Sequence, residues 1–327
     1  MPNMVDFVMS VRDVRNGQFI AAVGKTRFLQ VPVGSSPDPA QAIAAAAWYK
    51  AVTTAGEWTN AKSEARGDIL FIVHGYNTSE ADVIDRHRRI KADLATLAFK
   101  GVIVSFDWPS DTSLGLSADR HRAKETALQL VNDGIRQLSA RQTPDCPINI
   151  HILGHSTGAY VIREAFDDAD DTQLKQSSWL VSQIMFAAGD VSAGSMSQGN
   201  PGAQSVYNHC LRLTNYSSRH DVVLDISNVK RLGVAPRVGR VGLPDDCPRK
   251  AVNIDCTDYY GLLASSQSVQ ATDEPQGLPG AQSHSWYFGN AIFTGDVFDT
   301  IIGTENTPRT TRVVGTDGRL HLTRGNR

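Results

Sequence analysis

Gly154-His155-Ser156-Thr157-Gly158 is the stretch of this chain whose residue types and spacing fit covalent chemistry. A serine hydroxyl becomes a useful nucleophile only when a base takes its proton and the backbone holds it out toward the substrate. The apolar run Ile148, Ile150, Ile152, Leu153 ahead of it reads as a buried strand. Behind it, Ala159, Ile162, Ala165 and Phe166 fall at helical spacings of three and four. Strand, G-x-S-x-G, helix is the context of a nucleophile elbow, a sharp turn that lifts the hydroxyl above the sheet. Glycine two residues to either side removes the Cβ atoms that would clash there. The helix start beyond supplies N–H groups where an oxyanion would develop. The chemistry implied is acyl transfer.

Ser156 then needs a base, and the base needs an orienting acid. His284 lies between the last expected core strand and the final helix, where a loop can return to the serine, so it is the candidate base. Asp221 is the first candidate for the acid; Asp190, one strand earlier, is its chief rival, with Asp225 and Asp255 behind. An oxyanion hole needs two donors about 3 Å from the oxyanion. The Thr157 N–H, directly after the nucleophile, is one. The other is expected from His74-Gly75-Tyr76-Asn77, with the Tyr76 N–H favoured. Asn77 reads as a turn former, and His74 and His155 as structural histidines at the edge of the pocket. Trp108 either walls the pocket or packs in the core. Asp190 is a further pocket candidate. No H-E-x-x-H, cysteine pair or dinucleotide fingerprint is present, so no metal or other cofactor is expected. Gly24-Lys25-Thr26 ends like a phosphate loop, but Phe19 stands where that motif needs glycine.

The elements that must position these residues follow from the pattern along the chain. Apolar stretches Val5 to Met9 and Phe19 to Val23, divided by Asn16-Gly17, read as antiparallel strands, with a third possible over Phe28 to Val33. Ala40 to Thr54 is alanine-rich and reads as a helix. Strands are expected at Asp68–Val73, Gly101–Phe106, the elbow, Trp179–Ala188, Cys210–Tyr216 and Ala251–Asp255. Helices are expected from the cap at Thr78 or Ser79, around Ala123 to Leu138, after Ser156, and, led into by His284-Ser-Trp-Tyr-Phe288, through about Ile302. Residues 192–205, 231–249 and 265–283 read as loops, and Thr310 to Leu322 as a small hairpin or tail. Alternating strands and helices from residue 68 onward give a mostly parallel sheet covered on both faces, with ligands at the strands' carboxyl ends. His74, Asp107, Ser156, Asp190, Asp221 and His284 all fall at or after such ends.

The totals agree with such a domain. The chain has 327 residues, 41% hydrophobic and 20% charged, enough for one large core over 1–303 with a tail or hairpin at 304–327. A net charge of -2 argues against nucleic acid as a partner, and no apolar run is long enough to span a membrane. The start lacks a continuous apolar leader, and four scattered cysteines read as free thiols, so a cytoplasmic protein is expected. The expected partner is a small-molecule acyl substrate, with a homo-oligomer possible.

Several motifs taken together resemble the α/β-hydrolase superfamily, and within it a bacterial branch. They are Val73-His-Gly-Tyr-Asn77, Ser105-Phe-Asp-Trp-Pro-Ser110, Gly154-His-Ser-Thr-Gly158, Asn215-Tyr-Ser-Ser-Arg-His-Asp221, Arg231-Leu-Gly233 and His284-Ser-Trp-Tyr-Phe288. They cover roughly residues 66 to 302 in the right order. The resemblance implies an α/β-hydrolase fold: a mostly parallel central sheet with antiparallel N-terminal strands and helices on both faces. It also implies Ser156 as nucleophile, His284 as base, Asp221 as acid, and an esterase-like serine hydrolase. Thr157 departs from the branch, which usually carries Met there. The alternative is a non-catalytic binding or scaffold protein on the same fold, since a fold does not by itself imply catalysis.

Overall fold

The computed structural model describes residues 5–110, 115–172, 179–229, 235–278, 281–303 and 311–325. Its strands are β1 (Val5–Arg15), β2 (Gln18–Pro32), β3 (Ala42–Ile43), β4 (Glu57–Thr59), β5 (Ala65–Val73), β6 (Val102–Asp107), β7 (Ile148–His155), β8 (Val181–Ala187), β9 (Cys210–Ser217), β10 (Ala251–Asp255), β11 (Arg312–Val314) and β12 (Leu320–Leu322). They form one sheet in the order β11-β12-β10-β9-β8-β7-β5-β6-β1-β2-β3, with β4 beside β5. From β12 across to β1 every neighbouring pair is parallel. The helices are α1 (Ala45–Gly56), α2 (Glu80–Thr96), α3 (Gly115–Gln129), which runs through a π-helical turn (Leu130–Ile135) into α4 (Arg136–Ser139), α5 (Thr157–Asp170), α6 (Pro201–Asn208), α7 (Val222–Val229), α8 (Val238–Val241), α9 (Thr257–Ser265), α10 (Gln267–Asp273), α11 (Gln282–Ser285) and α12 (Ala291–Ile301).

Both faces of the central strands are apolar because helices cover both. Along β5, Ile69, Phe71 and Val73 enter the core layer shared with α5, while Leu70 and Ile72 enter the opposite layer beneath α2 and α12. This is the two-residue alternation of a strand with a core on each side. Strand order then fixes the site. From β5 the chain moves to β6 on one side and later to β7 on the other, so the sheet changes winding direction between β5 and β7. Val73 is registered against Gly154 there, which sets the carboxyl ends of β5 and β7 side by side.

Several segments differ from the sequence expectation. The third N-terminal strand is the continuation of β2. Register shifts between Ser10 and Asp13 let the hairpin bend without breaking. Gly24 sits against the bend, where a Cβ would lie 2.6 Å from the Asp13 Cα. The alanine-rich helix starts only at Ala45, because Ala42 and Ile43 pair with β2. Residues 192–205 are not an exposed loop: a 3-10 turn and α6 bury Met196, Val206 and Tyr207. Within 231–249, α8 forms, whereas Arg231-Leu-Gly233 lies outside the described residues. The hairpin near the end forms, and β12 joins β10 in the main sheet, secured by Arg312 donating to Asp296 of α12.

The segment 265–283 also departs from the expected polar loop. It holds α10, and its polar groups turn inward. Tyr259 Oη donates to Asp273 Oδ2 at 3.0 Å, Arg324 pairs with Asp273, and Asn290 Nδ2 donates to Glu274 Oε1 at 3.0 Å. Burial pushes the Glu274 carboxyl up to about 8, helped by the neighbouring Asp93 and Asp273 charges against the opposing Asn290 hydrogen bond. Folded Glu274 therefore keeps a proton that the unfolded chain releases near 4.5. Stability from this group is present below that value and declines as pH rises toward about 8. Glu274→Gln should melt higher than wild type at pH 9, by the equivalent of a few kcal/mol (on the order of 1.4 per pKa unit), with the gap closing near pH 4. A gap independent of pH in thermal melts would contradict the assignment.

Candidate active site

Ser156 occupies the junction of β7 and α5 at φ 55 and ψ -123, a strained conformation for a residue with a side chain. Three backbone bonds hold it: its N–H donates to Ala187, and its carbonyl accepts from Ala159 and Asp190. The flanking glycines are required by space. A Cβ on Gly154 would meet Ile162 Cδ1 at 2.5 Å, and one on Gly158 would press into the Val73 carbonyl oxygen. The serine is 5% exposed.

His284 is in α11, and its Nδ1 lies 2.7 Å from Asp221 Oδ2. Both are buried. Asp221 Oδ1 accepts from the Leu224 N–H, so the carboxylate is anchored on both oxygens. With Nδ1–H donating to the carboxylate, Nε2 is the nitrogen left to accept a proton. The loop carrying His284 is tied to the elbow by His155. Its Nε2 donates to the His284 carbonyl at 2.8 Å, and the two rings lie 4.8 Å apart. Burial drives His155 well below the usual histidine range, assisted by the nearby His284 and Arg86 charges, so it is a neutral donor.

The other carboxylates are engaged elsewhere. Asp190 pairs with Arg237 at 3.2 Å, Asp225 with Arg240 at 3.3 Å, and Asp255 accepts from the Thr257 N–H at the start of α9. Of the weighed acids, the structure brings Asp221 to His284.

The loop after β5 lies against the elbow. A Cβ on Gly75 would stand 2.7 Å from Ser156 Cβ, so glycine is required for this approach. Tyr76 follows, and Asn77 turns the chain at φ 48, the left-handed region that asparagine tolerates. Thr157 opens α5. His74 Nδ1 donates to the Gly75 carbonyl at 2.9 Å, while its Nε2 accepts from the Trp108 N–H. Trp108 is fully buried, stacks on His74, and donates its indole N–H to the His74 carbonyl.

Sequence reasoning missed the support of this loop. Arg12 of β1 donates to Asp107 Oδ1 at 2.7 Å and to the Thr78 carbonyl at 2.7 Å, and Ser10 donates to Asp107 Oδ2. Burial pushes the Asp107 carboxyl up, but Arg12 and then His74 outweigh it and hold it at about 2. Burial lowers His74 despite Asp107 beside it. No local motif marks Arg12; its role comes from β1 pairing with β6 across 95 positions of sequence.

Among the described residues no group of three or more His, Cys, Asp or Glu side chains is arranged to hold a metal ion, and no helix is long and apolar enough to cross a membrane. The chain is similar to several solved structures. A candidate cell surface hydrolase from Lactobacillus plantarum WCFS1 is 12% identical over 74% of this chain and 93% of its own, with a TM-score of 0.39. Esterase B from Lactobacillus rhamnosis is 9% identical over 72% and 75%, with a TM-score of 0.37. A pyrethroid hydrolase from Sphingobium faniae JZ-2 is 14% identical over 74% and 100%, with a TM-score of 0.31. No curated protein matches the sequence. A family model matches residues 52–253, more than half of the chain and the whole run from before β5 to β10. The expected fold class holds, and the chain belongs to the family described as alpha/beta hydrolase of unknown function (DUF900).

Proposed function

We propose that the chain is a serine hydrolase, esterase-like, that cleaves an ester or related acyl bond through an acyl-enzyme. The observation that carries this reading is the buried 2.7 Å contact between His284 Nδ1 and Asp221 Oδ2, on a loop tied by His155 to the strained serine next to it. Ser156 Oγ attacks the carbonyl carbon while His284 Nε2 takes its proton. The carbonyl electrons move onto oxygen, where the Tyr76 and Thr157 N–H groups receive them. Collapse expels the alcohol, protonated by His284, and leaves the serine ester. Water, deprotonated by the same imidazole, then releases the acid and restores the hydroxyl. Asp221 holds the imidazole in the working tautomer and stabilises its charged form. The substrate is a small to medium acyl compound. All four cysteines are free thiols, which supports a reducing compartment.

The direct test is a fluorophosphonate probe followed by peptide mapping. Label on the peptide containing Ser156 is the expected result; label elsewhere, or none, would overturn the reading. A second test addresses the oxyanion loop. Gly75→Ala drives a Cβ into Ser156 and His155, so the loop carrying Tyr76 must retreat. Loss of one such donor costs about 10²–10³ in kcat. We expect a fall of that size on p-nitrophenyl butyrate, and kcat within threefold of wild type would contradict the placement of the loop.

A further inference from the structure

We propose that Arg86 binds an anionic group of the substrate, so that the enzyme acts on esters carrying a carboxylate. This rests on the serine-hydrolase reading and names the substrate class of that site. Arg86 sits in the second turn of α2, half-buried, between the two loops that flank Ser156. On one side its Nη1 donates to Thr78 Oγ1 at 3.1 Å, and that hydroxyl in turn donates to the carbonyls of Gly75 and Tyr76. On the other side its guanidinium lies over the Phe288 ring, 5.1 Å from the centroid. Phe288 follows His284 by four residues and packs on His155 at 4.9 Å.

The carboxylates of α2 around Arg86 are engaged elsewhere. Asp82 is committed to the cap of α2, where its Oδ2 accepts from the N–H and hydroxyl of Ser79. Asp85 pairs with Arg89 at 2.8 Å, and Glu80 pairs with Arg12 at 3.4 Å. Among the described residues no carboxylate lies within ion-pair distance of Arg86. Buried arginines are treated differently: Arg12 has Asp107, Arg237 has Asp190 and Arg312 has Asp296. Burial lowers the Arg86 pKa against the opposing Asp82 and Asp85 charges. A desolvated guanidinium is costly without a counter-ion, and its planar fork matches a carboxylate with two parallel hydrogen bonds. With one of its five N–H groups in use among the described residues, the fork is available.

The test compares matched esters on wild type, Arg86→Gln and Arg86→Lys. One arm sets mono-4-nitrophenyl glutarate against 4-nitrophenyl pentanoate, placing the charge on the acyl side. The other sets the butyrate ester of 4-hydroxybenzoate against its methyl ester, placing it on the leaving group. Wild type should prefer the anionic member in one arm by about tenfold or more in kcat/KM, and the arm identifies the side. Arg86→Gln should erase that preference and Arg86→Lys retain part of it. No preference in either arm, or one that survives Arg86→Gln, would overturn the proposal while leaving the serine chemistry standing. If wild type turns over none of the four, the serine-hydrolase reading fails, and glutarate titration decides Arg86 separately. Saturable heat in wild type that is lost in Arg86→Gln supports the anion site, and equal titration curves overturn it. If Arg86→Gln fails to fold, the same comparisons are read on Arg86→Lys, where a weakened preference supports the proposal and an unchanged one overturns it.

Discussion

Ser156→Ala lowers kcat for ester hydrolysis by about a million-fold, or about 8 kcal/mol of barrier. In the proposed mechanism no acyl-enzyme forms without the hydroxyl, and only water attack assisted by the remaining donors is left. The proposed donors are the backbone N–H groups of Tyr76 and Thr157, which the substitution does not remove. A small residual rate above the uncatalysed reaction is therefore expected. The side chain makes no structural contribution of that size, because Ser156 is held by backbone bonds to Ala187, Ala159 and Asp190. His284→Ala should cost a comparable factor, and the double variant little more, since the two groups act in one step. Steady-state rates on p-nitrophenyl butyrate for the three variants check this. Ser156→Ala turnover within tenfold of wild type, or additive losses, would contradict the shared role.

Asp221→Asn should lower kcat by about 10⁴ with little change in KM. An amide at that position can hand its N–H₂ group to Nδ1, which places the imidazole proton on Nε2, the atom that accepts the serine proton in the proposed mechanism. The burial and the Leu224 N–H bond to Oδ1 leave the side chain little room to choose otherwise. Asp190→Asn is the informative comparison. It leaves the buried Arg237 without its full counter-charge, a loss on the order of 3–5 kcal/mol if the pair is broken. Its thermal melt should fall further than its kcat. The opposite pattern, with Asp190→Asn the slower enzyme, would transfer the acid role to Asp190.

What could be read in the sequence was what short-range pattern encodes. The β5 and β7 runs, the glycines around Ser156, the Ser79 cap of α2 and the Asn16-Gly17 turn each declare themselves within a few residues. The meeting of Asp221 with His284 was legible because each lies where a strand or helix boundary faces the carboxyl edge. Longer-range dependence was not visible. β1 reads as half of a hairpin, and nothing in its residues says that it also runs parallel to β6 and delivers Arg12 and Ser10 beneath Asp107. Polar composition misled at 265–283, because Asp273 and Glu274 are buried by partners from α9, α12 and the C-terminal segment. At 192–205 the small residues hid the anchoring of Met196 and Tyr207, whose hydroxyl donates to the Met196 carbonyl.

The proposed chemistry requires three distant side chains to meet at one rim of the sheet, and a crystal structure of the phosphonate adduct tests that most directly. It should show phosphorus bonded to Ser156 Oγ and one phosphonyl oxygen about 2.7–3.1 Å from both the Tyr76 and Thr157 nitrogens. His284 Nε2 should lie within about 3.2 Å of Ser156 Oγ, with Nδ1 still on Asp221. An adduct on another residue, or a His284 ring beyond hydrogen-bonding reach of Ser156 in the adduct, would contradict the account.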